Sequence, residues 1–118
     1  MSVKMFYTYY QNNSGGSWVN NDSVNEYVII EAASAELANE KAETIGIYFE
    51  GVDRGRDCEC CGDRWDRARE TEGTKTPTIY SGDVKNLSSY NSMMPSNSKT
   101  AIIVYYLDGK KEIYRKQK

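Results

Sequence analysis

The chain has 118 residues, a formal net charge of −2 and a sequence pI near 5.2. Its length predicts one domain, residues 1–118, and its acidic balance argues against non-specific binding to a phosphate backbone. Histidine is absent, which removes the commonest general base and every imidazole metal ligand, so we predict a protein that is not an enzyme.

The sequence also carries information about the cellular compartment. No stretch approaches the roughly 20 apolar residues that a membrane-spanning helix needs. The first residues lead directly into a strand-like segment, without the pattern of a secretory signal. Three clustered cysteines do not resemble an extracellular disulfide framework. We therefore predict a cytoplasmic protein.

Two strands are predicted in the first third of the chain. Residues 5–10 are aromatic and β-branched, which is typical of a strand. Residues 11–17 form a polar Asn-, Ser- and Gly-rich loop. Residues 27–32 are apolar on both faces, which predicts a central strand.

A helix should follow, with Ser34 as its N-cap. Apolar residues recur at steps of three and four and define one helical face. These residues are Ala35, Ala38, Ala42, Ile45 and Phe49. Gly46 is expected to end the helix or to mark its last turn.

The C-terminal part predicts a β-hairpin. Residues 101–107 give the strongest strand pattern, Asp108-Gly109 is a hairpin turn signal, and residues 111–114 return as a strand. Residues 50–76 are interpreted as a loop and residues 77–99 as irregular cover. The predicted fold is α+β: an antiparallel sheet of about four strands in ββαββ order, with one main helix packed on a face and long irregular loops.

This order places two loops at the same edge of the sheet. The loop at 11–18 follows the first strand, and the helix runs back along the second strand toward that edge. We therefore expect the loops at 11–18 and 50–66 to be neighbours.

The second of these loops contains three cysteines. Cys58 and Cys61 have the spacing of half a zinc knuckle, with Cys60 between them. Asp57, Asp63 or a symmetry mate would have to supply the fourth ligand for zinc. The alternative is that one or two of these cysteines are small buried hydrophobic residues in a tight loop, and a redox role is a further alternative.

Arginine and tryptophan side chains surround the cysteines, and they are suited to binding phosphate and stacking on a base. Amide side chains in the neighbouring loop are suited to ribose hydroxyls. The predicted ligand-binding residues are Arg54, Arg56, Arg64, Trp65, Asn12, Asn13 and Trp18. The alternative is that the interleaved aspartates satisfy the arginines in a self-contained ion network.

Three segments resemble a family of small uncharacterised proteins from tailed-phage genomes. They are Phe6–Tyr9 with Gln11–Ser17, the strand Val28–Ala32 with its Ala-rich helix, and Gly55–Trp65. The resemblance implies a phage accessory protein that is made in the cytoplasm of the infected bacterium and is dispensable for building the virion. It assigns no role to any residue.

Phage accessory proteins of this size often counter host defence, and this suggests a function by analogy. We predict an oligomeric protein that binds and sequesters a nucleotide-derived immune signal without cleaving it. The alternatives are inhibition of a host protein by direct contact and a small metal-binding module built on the three cysteines.

Overall fold

A computed structural model describes residues 4–12, 19–21, 23–79, 82–87, 90–91 and 100–117. These residues form one α-helix and seven strands. They are β1 (Met5–Tyr10), β2 (Tyr27–Ala32), α1 (Ala35–Thr44), β3 (Thr78–Ile79), β4 (Gly82–Asp83), β5 (Tyr90–Asn91), β6 (Ala101–Tyr105) and β7 (Lys111–Lys116). The four long strands and the helix lie where the sequence predicts them.

Five of the strands form one mixed sheet in the order β1-β2-β6-β7-β5, and β3 and β4 form a separate two-stranded sheet. β1 is antiparallel to β2, and β7 is antiparallel to both β6 and β5. The central pair, β2 and β6, is parallel. β2 therefore lies inside the sheet, as its apolar faces predict.

The predicted antiparallel four-stranded sheet in ββαββ order is wrong. Strands β2 and β6 are buried along most of their length, as is usual for strands that pair in parallel between two covered faces. A parallel pair needs a long crossover connection, and the helix together with the segment that follows it supplies one. The short strand β5 then extends the sheet beyond β7.

Helix α1 begins as predicted. The Ser34 hydroxyl accepts a hydrogen bond from the backbone N–H of Leu37 at 3.2 Å. The three alanines of the predicted face are buried against the sheet. The helix ends at Thr44 and is followed by Gly46 with φ +110°. The predicted face extended too far, because Phe49 lies beyond the helix and enters the same core from an extended segment.

Both faces of the large sheet are covered. The helix side holds a core that includes Tyr7, Tyr9, Val28, Ile30, Ala38, Ala42, Phe49 and Trp65. The opposite side holds a smaller core of Phe6, Ile29, Ile79, Val84, Ile102, Val104 and Tyr114. The segment between residues 45 and 72 therefore covers the edge of the helix side, and the candidate site lies in this segment.

In the part of the chain that the structure describes, no helix has the length and apolar character needed to cross a bilayer.

Candidate functional site

The two predicted neighbouring loops do meet, as far as their residues are described. The backbone N–H of Asn12 donates to the carbonyl oxygen of Arg64 at 2.8 Å. The Asn12 side-chain amide donates to the carbonyl oxygens of Cys61 at 2.7 Å and Asp63 at 3.2 Å. The end of β1 is therefore joined directly to the cysteine-containing segment.

This segment rests on a group of polar side chains that we call the buried base: Gln11, Tyr48, Asp57 and Arg64. The Asp57 carboxylate accepts from the Tyr48 hydroxyl at 2.6 Å and from the Arg64 backbone N–H at 2.7 Å. The Arg64 guanidinium donates to the Tyr48 hydroxyl at 3.2 Å and to Gln11 Oε1 at 2.9 Å. Its Nε lies 3.9 Å from Asp57 Oδ1. Each polar group therefore has a partner, as buried polar groups require.

The buried base is closely packed. The Asp57 carboxylate occupies the space beside Gly51, where an added Cβ would lie only 1.9 Å from Asp57 Oδ2. Burial, together with the hydrogen bond to Asp57, raises the pKa of Tyr48. The Arg56 guanidinium lies over the Tyr48 ring, 3.9 Å from its centroid. Arg56 is thus exposed to solvent on one side and held against the base on the other.

The exposed segment Cys58–Gly62, which we call the cysteine loop, is a tight turn above this base. The backbone N–H groups of Cys61 and Gly62 donate to the Cys58 carbonyl oxygen at 3.2 and 3.0 Å. Gly62 has φ +86°, a left-handed conformation that favours glycine. The hydrogen bond between Asp57 and the Arg64 N–H closes the loop below. The loop is therefore held at both ends.

The turn brings the three thiols together. The Sγ atoms of Cys58 and Cys60 are 2.7 Å apart, and those of Cys60 and Cys61 are 3.7 Å apart. All three sulfur atoms lie within 4.8 Å of one another, and all three residues are reduced and at least partly exposed. The cysteines are therefore not small buried residues of the core.

The thiols also differ in acidity. Hydrogen bonds from the Cys60 thiol and from the backbone N–H groups of Cys60 and Cys61 lower the pKa of Cys58. The hydrogen bond to Cys58 and the contact with Cys61 raise the pKa of Cys60 to about 11. The Cys58 thiol therefore loses its proton more readily than the Cys60 thiol.

The structure divides the predicted ligand-binding residues. Arg54 and Arg56 are exposed on the segment before the cysteine loop. Arg64 is used in the buried base, and Trp65 is only 1% exposed in the core. Asn12 donates to backbone carbonyls. The two other predicted residues, Asn13 and Trp18, lie outside the described residues. The alternative in which aspartates pair with the arginines therefore holds for Arg64, which pairs with Asp57. Among the described residues, Arg54 has no such salt bridge.

A groove of about 480 Å³ adjoins this segment. It is lined by Phe49, Glu50, Asp63, Trp65, Asp66, Arg67, Arg69 and Glu72. Arg67 Nη1 is 2.5 Å from Glu50 Oε1, and its guanidinium lies 5.0 Å from the centroid of the Phe49 ring. The buried indole N–H of Trp65 makes no hydrogen bond with the residues that the structure describes. A groove of this size is in the range of small-molecule sites.

Four residues that give this region its shape are not among the predicted site residues. Gln11, directly after β1, and Tyr48, in the segment after the helix, complete the buried base. Arg67 and Arg69 line the groove, and they fall in the predicted loop at 50–76 but not among the predicted ligand-binding residues. The only signal was a polar Gln directly after a buried strand, which often needs a partner.

A family model for a domain of unknown function, DUF7296, matches residues 4–118. The chain therefore belongs to this family. Comparisons with curated proteins and with solved structures find no significant match. The family description carries no function and no link to phage genomes, so the phage origin stays a prediction.

Proposed function

We propose that this protein binds a thiophilic metal ion through Cys58, Cys60 and Cys61. The observation that carries this proposal is the convergence of three exposed thiols within 4.8 Å on a turn held by hydrogen bonds at both ends. Thiolates are the ligands that Zn²⁺ and Cu⁺ prefer in proteins.

The sulfur distances fit this chemistry. A Zn–S bond of about 2.3 Å in a tetrahedron places the sulfur atoms about 3.8 Å apart. The Cys60 to Cys61 distance of 3.7 Å is close to this value, whereas Cys58 and Cys60 are about 1 Å closer together. Metal binding therefore requires the Cys58–Cys60 contact to open by about 1 Å.

The fourth coordination position is open in the described part of the chain. Both carboxylate oxygens of Asp57 accept hydrogen bonds in the buried base. Asp63 Oδ1 accepts from the Val52 backbone N–H at 2.9 Å. Neither aspartate belongs to the set of side chains close enough to share an ion with the cysteines. Three protein ligands plus an exchangeable fourth ligand are typical of zinc sites that react or transfer their ion.

The proposal fits a reducing compartment, in which free thiols persist as metal ligands. The bacterial cytoplasm during phage infection is such a compartment, and we retain it as part of the proposal. Homo-oligomerisation stays a prediction in the same way.

Metal content after purification without a chelator tests the proposal. We expect close to one zinc per chain, and we expect Co²⁺ added to the metal-free protein to produce sulfur-to-cobalt charge-transfer absorption. Each single change, Cys58→Ser, Cys60→Ser or Cys61→Ser, should weaken binding strongly, because three-coordinate sites lose a third of their ligands. Glu59→Gln, in the same turn, is the matched control and should bind like the unchanged protein. Unchanged metal content in all three serine variants would contradict the proposal.

A second candidate function is the binding of a small polar ligand in the groove. Two features favour this function. The N–H of Trp65 has no hydrogen-bond partner among the described residues, and the lining of the groove carries both arginine and carboxylate groups. The hypothesis of a sequestered nucleotide-derived signal belongs here, although the carboxylates around the groove disfavour ligands with several negative charges.

This candidate is tested by ligand release. The protein is mixed with cyclic dinucleotides, cyclic trinucleotides and ADP-ribose derivatives, freed of unbound ligand, denatured, and the released compound is identified. Arg69→Ala should abolish capture at the groove. Arg54→Ala is the matched control: it removes the same charge from the exposed segment near the cysteine loop and should leave capture unchanged. Loss of capture only in Arg54→Ala would move the site to that exposed segment, and no captured ligand would remove this candidate for the panel.

A further inference from the structure

We propose that the cysteine loop has a second activity, thiol–disulfide exchange, in which Cys58 and Cys60 form an internal disulfide and Cys61 does not. The reactant is a low-molecular-weight disulfide. The exchange itself does not depend on the proposed metal binding. Only its consequence does, namely that oxidation releases the metal ion.

The geometry of the three thiols selects the pair. Cys60 contacts both other cysteines, at 2.7 Å to Cys58 and 3.7 Å to Cys61. A disulfide bond is about 2.05 Å long, so the Cys58–Cys60 contact needs the smaller movement. This pair is also the one that lies too close for a tetrahedral metal site.

The two other pairings are less favourable. A Cys60–Cys61 disulfide joins adjacent residues and closes a small ring that contains their peptide bond. Such a ring is difficult to form while the peptide bond stays planar and trans. A Cys58–Cys61 disulfide would have to displace the Cys60 sulfur atom, which is in contact with both of theirs.

Access to the reactant is provided by the same turn. Cys60 and Cys61 are exposed and Cys58 is partly exposed, while the side chains of Asp57 and Arg64 beneath them are buried. The Asp57 and Asn12 hydrogen bonds hold the turn from below and leave its outer side uncovered. An external disulfide therefore reaches the sulfur atoms without opening the fold.

The exchange balances as follows. A thiolate of the Cys58–Cys60 pair attacks one sulfur of the external disulfide, and the other half of that disulfide leaves as a thiolate. The second thiol of the pair then loses its proton and displaces the first half from the mixed disulfide. The protein pair is oxidised by two electrons, and one external disulfide is reduced to two thiols. Two of the three sulfur ligands are consumed, so the metal ion is lost.

The test uses the full chain and oxidised glutathione. The reduced protein, with its zinc content measured, is incubated with oxidised glutathione, the remaining thiols are alkylated, and the linked peptides are identified by mass spectrometry. We expect a loss of two hydrogen atoms per chain, a Cys58–Cys60 link, an alkylated Cys61 and release of zinc. Predominance of a link that contains Cys61, or of links between chains, would overturn the proposal.

Single variants separate this activity from metal binding. Cys61→Ser should still form the internal disulfide, whereas Cys58→Ser and Cys60→Ser should stop at the mixed disulfide with glutathione. A reduced protein that holds no zinc but forms the Cys58–Cys60 link would refute the metal function and leave the exchange intact. A protein that holds zinc but forms an internal disulfide in Cys60→Ser would refute the exchange alone.

Discussion

The buried base under the cysteine loop and the groove each contain an arginine paired with a carboxylate. Under the cysteine loop, Arg64 and Asp57 are 3.9 Å apart, with side chains 10% and 0% exposed. In the groove, Arg67 and Glu50 are 2.5 Å apart, with side chains 46% and 54% exposed. The shorter pair is the weaker one, because water solvates both partners when the pair is broken. Burial, and not distance, therefore decides which region the fold depends on.

The largest effect is expected for Arg64→Ala. It leaves the buried Asp57 carboxylate without its cation and removes one of the two donors to Gln11 Oε1, and it should lower the free energy of unfolding by about 3 kcal/mol. Urea denaturation with a comparison of midpoints at constant slope measures this loss. Arg67→Ala is the matched control, since it removes the same side chain from the exposed pair. Equal losses in the two variants would contradict the proposed difference between the regions.

Gly51→Ala should have the next largest effect. The added methyl group would overlap the Asp57 carboxylate, which lies 1.9 Å from the position of the new Cβ. Overpacking of this kind costs about 1–3 kcal/mol, and the displaced carboxylate should also loosen the cysteine loop. Thermal unfolding measures the first effect, and faster alkylation of the three thiols measures the second.

Gly55→Ala provides the control for this prediction. No atom lies within 4 Å of a Cβ added at Gly55, although its φ of +73° carries its own conformational cost. It should therefore lower stability without changing the alkylation rate of the thiols. An alkylation rate that rises equally in both variants would mean that the carboxylate does not hold the loop.

The sequence predicts these two regions unequally. The cysteines and the aspartates around them are adjacent in the chain, so their proximity needs no knowledge of the fold. The groove combines residues from two stretches, 49–50 and 63–72, and its shape depends on where the segment after the helix crosses the sheet edge. Arg64 and Trp65 show the same limit, because these neighbours enter different surroundings, the buried base and the apolar core.

The same distinction applies to the sheet. The Asp108-Gly109 turn predicts the β6–β7 hairpin, because the two strands are close in sequence and the turn fixes their direction. The parallel pairing of β2 with β6 depends on the long segment between them, and its residues carry no comparable local signal. Local turns could therefore be predicted, whereas the partner of the second strand could not.

Asn12→Ala should have a smaller effect than Gly51→Ala. It removes two hydrogen bonds from an exposed amide to the Cys61 and Asp63 carbonyl oxygens, and it should cost about 1 kcal/mol. Because these bonds hold the end of the cysteine loop, metal affinity should fall in this variant while ligand capture in the groove stays unchanged. Reduced capture with unchanged metal affinity would show that Asn12 serves the other region.

The smallest effect on stability is expected for Glu50→Gln. The pair with Arg67 is about half exposed on both sides, so its loss should change the free energy of unfolding by less than about 0.5 kcal/mol. The Arg67 guanidinium would remain over the Phe49 ring, but it would lose its charged partner and become available to an anionic ligand. Capture of mononucleotides, measured by the ligand-release assay, should therefore increase, while metal content stays that of the unchanged protein. A loss of stability as large as that of Arg64→Ala would show that the exposed pair supports the fold, and the contrast between the two regions would then be wrong.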